Sequence, residues 1–193
     1  MDHFPYPLMQ NYTRGDILLT LKILQAQQIG RKNLSKFLGL GEATIRTLFR
    51  KLESEQLIVS TRQGQKITEK GHLYLIRAPD FTLPKPVQGR DLTLSEYNLA
   101  SLVRSYSCNV RNGMQFRDAA IIAGACGATT LIFSHGKLHF PDNTPVTVET
   151  ADYLIKEFNP QEDDILIIAT AETEKKALRG LSGCLGILLQ SKE

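Results

Sequence analysis

Residues 34–75 read LSKFLGLGEATIRTLFRKLESEQLIVSTRQGQKITEKGHLYL, and their patterning decides the N-terminal fold. Glu42 to Gln56 carries Ile45, Leu48, Phe49 and Leu52 at the spacing of one helical face. Before it, Gly39-Leu40-Gly41 forms a tight turn, since glycine tolerates a positive φ. A short helix from about Arg31 to Leu38 turns Leu34, Phe37 and Leu38 inward. After it, Leu57 to Thr61 and Lys66 to Thr68 flank Arg62-Gln63-Gly64-Gln65 as strand, turn and strand. Glu69 to Ile76 follows as a fourth short helix, with Leu73, Leu75 and Ile76 available for packing. Working back from the quoted run, residues 16–27 place Ile17, Leu18, Leu21 and Leu24 on one face of a first helix.

Three helices and a hairpin in so short a span are the plan of a winged helix-turn-helix. The quoted run, including Ile67-Thr68-Glu69-Lys70-Gly71 after the hairpin, resembles that of many prokaryotic winged helix-turn-helix transcription regulators over about residues 15–77. The resemblance implies a double-stranded DNA partner, with the third helix in the major groove and its N-terminal half at base edges. Thr44, Arg46, Thr47 and Arg50 are the base-reading candidates. Arginine pairs bidentately with guanine, and threonine hydrogen-bonds or touches a thymine methyl. Arg31, Lys32, Lys36, Lys51, Arg62 and Lys66 are the phosphate anchors, which set affinity and register without reading bases. Glu42 suits the positive end of the third helix. Winged helices also serve as protein-interaction modules. Acids neutralising the third helix and the hairpin would favour that role, and an unbroken basic stripe would favour DNA.

The charge is divided along the chain. Over 193 residues the formal net charge is +3, yet residues 1–90 hold 14 Lys or Arg against 7 Asp or Glu, while residues 91–193 hold 9 against 13. Two modules with different partners fit that division, the basic one drawn to a polyanion. With 42% hydrophobic and 22% charged residues, the composition excludes a disordered or fibrous chain. Apolar runs such as Ile165 to Ala169 fall far short of the roughly 20 residues of a membrane span. The opening MDHFPYPLMQ has no basic and then apolar leader pattern. Cys108, Cys126 and Cys184 are too scattered for a disulfide framework or a zinc knot, which indicates a reducing, cytoplasmic setting. Pro79, Pro84 and Pro86 mark an extended, stiff boundary. The domains are therefore 1–78 for DNA binding, 79–91 as a Pro-rich linker, and 92–193 for effector binding or dimerisation.

In the second domain we expect a strand around Asn98 to Tyr106, a helix from Met114 to Ala125, and strands at Thr129 to Ser134 and Leu138 to Phe140 joined by a turn at His135-Gly136-Lys137. A helix from Val148 to Phe158, a strand from Ile165 to Thr170 and a helix from Glu172 to Leu189 complete it. The apolar run at Ile165 has the habit of a central strand covered by helices on both faces. Gly180, Gly183 and Gly186, three apart, suggest close approach of another element or a partner subunit, or else a kinked helix. The segment NGMQFRDAAIIAGACGATTLIF resembles the C-terminal domain of a poorly characterised group of archaeal winged-helix proteins. That resemblance implies a DNA-binding head and a sensory or dimerising body, and no substrate.

No GxSxG elbow, P-loop, GxGxxG turn or HExxH run is present. His135 and His139 in a hairpin do not make a metal site, and Cys126 reads as a packed thiol. The effector candidates are Arg111, Asn112, Arg117 and Asp118, with Thr170 and Glu172 at the carboxyl end of the presumed central strand, where open sheets place their ligands. The expectation is thus an α+β chain, an N-terminal winged helix-turn-helix followed by a small α/β-type sensory or dimerisation domain. It acts as a homodimeric transcription regulator that responds to a small-molecule effector, with no cofactor, metal or membrane partner and no catalysis. Two alternatives stay open: a catalytic C-terminal domain with an autoregulatory winged helix, and a winged-helix protein-interaction module.

Overall fold

The computed structural model describes residues 11–192; residues 1–10, in which no leader pattern is read, lie outside the described residues. Helix α1 (Arg14–Ala26) starts on a reciprocal cap. The Thr13 hydroxyl accepts from the Asp16 backbone N–H, and the Asp16 carboxylate accepts from that of Thr13 at 2.6 Å. Helices α2 (Arg31–Leu38) and α3 (Glu42–Ser54) follow, joined through Gly39 at φ 62°. The hairpin is β1 (Ile58–Thr61) and β2 (Gly64–Ile67), with Thr61 opposite Gly64, so that only Arg62 and Gln63 form the turn. Helix α4 (Glu69–Leu75) closes this part, its Thr68 hydroxyl capping the Gly71 N–H.

Ile45, Leu48, Phe49 and Leu52 are buried as expected. Three other core expectations are corrected. Phe37 is 40% exposed, Leu73 55% and Ile76 66%, because Leu34, Leu38 and Leu75 take the inward positions of their short helices.

The C-terminal part is built on one sheet. Its strands are β3 (Lys85–Pro86), β4 (Tyr97–Val103), β5 (Gly127–Ser134), β6 (Lys137–His139) and β7 (Ile165–Ala171), in the spatial order β3-β4-β7-β5-β6. Every neighbouring pair is antiparallel, so this part is α+β and not of α/β type. The apolar run at 165–169 does form the central strand. A central antiparallel strand covered on both faces has the same apolar sequence as a parallel one. Helices α5 (Met114–Ile122) and α7 (Glu174–Gly186) cover one face through Phe116, Ala120, Leu181 and Leu185. Helix α6 (Val148–Phe158) covers the other through Leu154 and Phe158, against Leu102, Leu131, Leu166 and Ile168.

In the body, helix α7 starts at Glu174 rather than Glu172, and two C-terminal helix ends also differ from expectation. Helix α5 stops at Ile122 rather than Ala125, and α7 gives way after Gly186 to a tighter turn over Ile187–Lys192. The glycines of α7 mark close approaches within the chain. A Cβ on Gly180 would lie 2.4 Å from that of Ala125, and one on Gly183 would lie 2.6 Å from the Ala119 carbonyl oxygen. Gly186 faces the start of α1, 3.0 Å from the Gly15 nitrogen by the same measure.

Helix α1 therefore packs on α7, and the two parts share one continuous apolar core. Asp16 is buried at the contact, where Arg179 Nη1 donates to it at 3.0 Å and Ser182 Oγ at 2.7 Å. The Pro-rich stretch is extended, as its prolines require, but it is tied to the sheet rather than free. Phe81 bridges to Val103, Thr82 N–H donates to the Leu102 carbonyl at 2.9 Å, and Lys85–Pro86 pairs with Leu99–Ala100. Lys22 on α1 meets Asp80 at 2.5 Å and lies over the Phe81 ring.

Candidate nucleic-acid interface

The buried stripe of α3 fixes what its other side presents. Arg46 and Arg50, one turn apart, are exposed, and so is Thr47, whose hydroxyl donates to the Ala43 carbonyl at 3.2 Å. Arg46 and Arg50 open onto a groove of about 330 Å³ between α3 and the hairpin, which Arg31, Phe49, Glu53 and Gln65 also line.

The hairpin is held in place across this groove. Gln65 and Ile29 exchange backbone hydrogen bonds of 2.9 and 3.3 Å, Gln65 Nε2 donates to Glu53 at 3.1 Å, and the Thr61 hydroxyl donates to Gln28 at 2.9 Å. These contacts tie the hairpin to α3 and to the chain after α1.

The remaining basic candidates divide into two sets. Lys32, Lys36, Arg62 and Lys66 are exposed and, among the described residues, form no ion pair within 4.0 Å, which is also true of Arg46 and Arg50. Arg31 pairs with Glu42 at 3.2 Å. Lys51 sits on a different flank of α3, half-buried, donating to Glu55 at 2.7 Å; that hydrogen bond raises its pKa above the ordinary lysine value. Thr44 is half-buried on the same flank as Lys51. The groove also carries the acid Glu53, so the basic surface is not unbroken.

Among the effector candidates, the fold brings the stem of Arg117 toward the strand position of Thr170, and no hydrogen bond or ion pair joins any two of the six among the described residues. Arg111 and Asn112 precede α5, where Asn112 Oδ1 accepts from the Met114 N–H at 3.1 Å. Arg117 and Asp118 are exposed on α5 and form no ion pair among the described residues. The stem of Arg117 lies over Gly127, the strand partner of Thr170. The Thr170 Oγ1 is buried without a hydrogen-bond partner among the described residues. Glu172 pairs with Lys176 at 2.7 Å, and that hydrogen bond and charge hold its pKa below the ordinary carboxylate value. The carboxyl-end rule that nominated Thr170 and Glu172 belongs to parallel sheets. In this antiparallel sheet the strand ends alternate, and the rule loses its basis.

Sequence reasoning passed over one polar pair, Ser134 and His139, whose side chains meet at 2.7 Å. The signal was present in the two-residue turn His135-Gly136, which sets Ile132 opposite His139 and so makes Ser134 its diagonal neighbour on the same face.

This is the architecture of a two-part α+β chain with a basic helix-and-hairpin head seated on an antiparallel sheet body. Residues 13–73 match the family model of the PH0730-like N-terminal domain, and residues 94–186 match that of a domain of unknown function, DUF4443. Among solved structures, the chain is similar to the hypothetical protein PH0730 from Pyrococcus horikoshii OT3, with 28% identity and a TM-score of 0.71 over 94% of this chain and 95% of that one. No curated protein matches. These likenesses support the archaeal, poorly characterised group that the sequence resembles. No helix of the described residues is long and apolar enough to cross a membrane.

Proposed function

We propose that the protein is a cytoplasmic, homodimeric transcription regulator whose head is a winged helix that binds double-stranded DNA through α3. The observation that carries this reading is the pair Arg46 and Arg50, exposed one turn apart with no ion-pair partner among the described residues, on the groove between α3 and the hairpin. Lys32, Lys36, Arg62 and Lys66, likewise unpaired, add the screened attraction to phosphates that such a head needs. The body dimerises, binds a small effector, or does both. An effector shifts the DNA-binding balance only through different affinities for two states of the protein.

A second reading has one observation in its favour. Glu53 in the groove and the Arg31–Glu42 pair interrupt the basic surface, as a protein-interaction module would have it.

One experiment separates the two. Fragmented genomic DNA from the source organism is selected on the full-length protein, and enriched sites are re-measured by fluorescence anisotropy across a salt series. A palindromic site recovered near a few genes, with affinity falling steeply with salt, supports the regulator. Weak binding, uniform across sequences and lost by moderate salt, overturns it in favour of a protein partner.

A further inference from the structure

The Ser134–His139 pair lies on the β5–β6 hairpin, at the β6 edge of the body's sheet. His135 at φ 50° and Gly136 at φ 74° form the tight turn that matches the twist of paired strands. Register places Ser134 opposite Lys137 and Ile132 opposite His139, so Ser134, Lys137 and His139 share one face of the hairpin.

The proton positions on His139 follow from its partners. Its Nδ1 lies 2.8 Å from the Phe140 carbonyl oxygen, which can only accept. Nδ1 therefore carries the hydrogen, and in the neutral ring Nε2 holds the lone pair. Ser134 Oγ lies 2.7 Å from that Nε2, so the hydroxyl donates to it. A serine hydroxyl hydrogen-bonded to an imidazole base that a third group orients is the arrangement of an activated nucleophile. Here the third group is a backbone carbonyl. Both side chains are half-buried, which leaves the pair open to a small electrophile.

We propose that Ser134 and His139 form a nucleophile–base pair that takes an acyl group from a small activated ester. His139 Nε2 removes the Ser134 proton as Oγ bonds to the ester carbonyl carbon. The adduct collapses with cleavage of the carbon–oxygen bond to the leaving alcohol, which takes the proton back from His139. Water then releases the acid by the same steps in reverse. The charges beside the pair are mixed: exposed Lys137 stands opposite Ser134 by register, and the Glu162 carboxylate accepts from the His135 N–H at 3.0 Å. This activity goes beyond DNA binding and does not rest on it.

The test uses the full-length protein and a biotinylated fluorophosphonate. Serine oxygen attacks its phosphorus, fluoride leaves, and His139 takes the proton, so the adduct is stable and is mapped by peptide mass spectrometry. The expected result is one adduct, on Ser134, absent from heat-unfolded chain and from Ser134→Ala. His139→Gln lowers the labelling rate about a hundredfold, the scale of general-base assistance. Failure of the folded chain to label at Ser134, or equal rates with and without His139, overturns the proposal. Nitrogen-edited NMR of the unsubstituted protein at pH 8 tests the same geometry without a variant. A bare Nε2 on His139 supports the pair, and a hydrogen on Nε2 overturns it. Loss of DNA binding would leave every one of these readouts unchanged.

Discussion

Asp16 on α1 accepts the Ser182 hydroxyl hydrogen at 2.7 Å, joining residues 166 positions apart and fastening the head to the body. The same carboxylate takes Arg179 at 3.0 Å and the Thr13 backbone N–H at 2.6 Å, while itself almost wholly buried. A buried charge deprived of a partner is costly. We expect Arg179→Ala to destabilise the chain by about 3 kcal/mol and Ser182→Ala by about 1.5–3 kcal/mol. Urea unfolding followed by circular dichroism measures both. Because the core runs through both parts, the unsubstituted protein should unfold in one transition. Two separate transitions would show that the fastening carries little free energy.

Gly15 makes a sharper test of the same contact. A Cβ there would fall 1.7 Å from the Ser182 carbonyl oxygen, which is backbone and cannot swing aside. Gly15→Ala must part α1 from α7, and overpacking of this kind costs about 1–3 kcal/mol or more. Gly30→Ala is the control, since nothing among the described residues beyond its chain neighbours lies within 4 Å of a Cβ at that position. Similar melting temperatures for the two variants would contradict the close packing.

On DNA, Arg46→Ala and Arg50→Ala should each lose affinity and relax base preference by about 1–3 kcal/mol, the worth of a bidentate base contact. Lys32→Ala and Arg62→Ala should weaken binding to all sequences alike and lower the salt slope by about one unit each. Competition anisotropy with point-mutated sites makes the distinction. A sequence-dependent loss at Lys32 or Arg62 would reverse the two assignments.

The three thiols should differ in reactivity. Cys108 is exposed, and so is Cys126, which corrects its reading as a packed thiol; Cys184 is the buried one and donates to the Phe116 carbonyl at 3.1 Å. Burial pushes the Cys184 thiol well above its ordinary value. A thiol-titrating disulfide reagent should modify Cys108 and Cys126 in the native protein, and Cys184 only on unfolding. The linkage has a definite sign. Above about pH 9, the ordinary thiol value, only the unfolded chain ionises Cys184, so stability falls as pH rises, at about 1.4 kcal/mol per pH unit for this one group. Cys184→Ala should flatten that slope. An unchanged slope would assign the alkaline loss to other groups.

Local order was legible wherever a stop signal and an apolar period coincided. The bounds of α2 and α6 can be read to the residue, since Gly30 and Gly39 flank the first and the 3.6-residue period of Leu154, Ile155 and Phe158 marks the second. Pairing direction was not legible. The residues from Ile165 to Ala169 must be apolar in a strand covered on both faces, whichever way its neighbours run. The triplet glycines of α7 signalled a close approach, but only the packed structure distinguishes α5 and α1 from a partner subunit. Arg111 and Asn112 precede the turn at Gly113 while Arg117 and Asp118 lie on α5, and all four are exposed, a placement their closeness in sequence does not reveal. Ser134 and His139 show the converse, since their meeting depends on strand register.

The edges of the body's sheet bear on how copies of the chain can meet. One edge is only the two residues Lys85–Pro86, carrying a charge and a proline with no amide hydrogen to offer. The other is the three-residue strand Lys137–His139. Both edges are short, and the second is partly covered where His139 bridges to Pro145, so neither offers a long template for pairing with another strand. If the chain pairs with a second copy as proposed, helices and loops rather than sheet edges are the surfaces left for that contact.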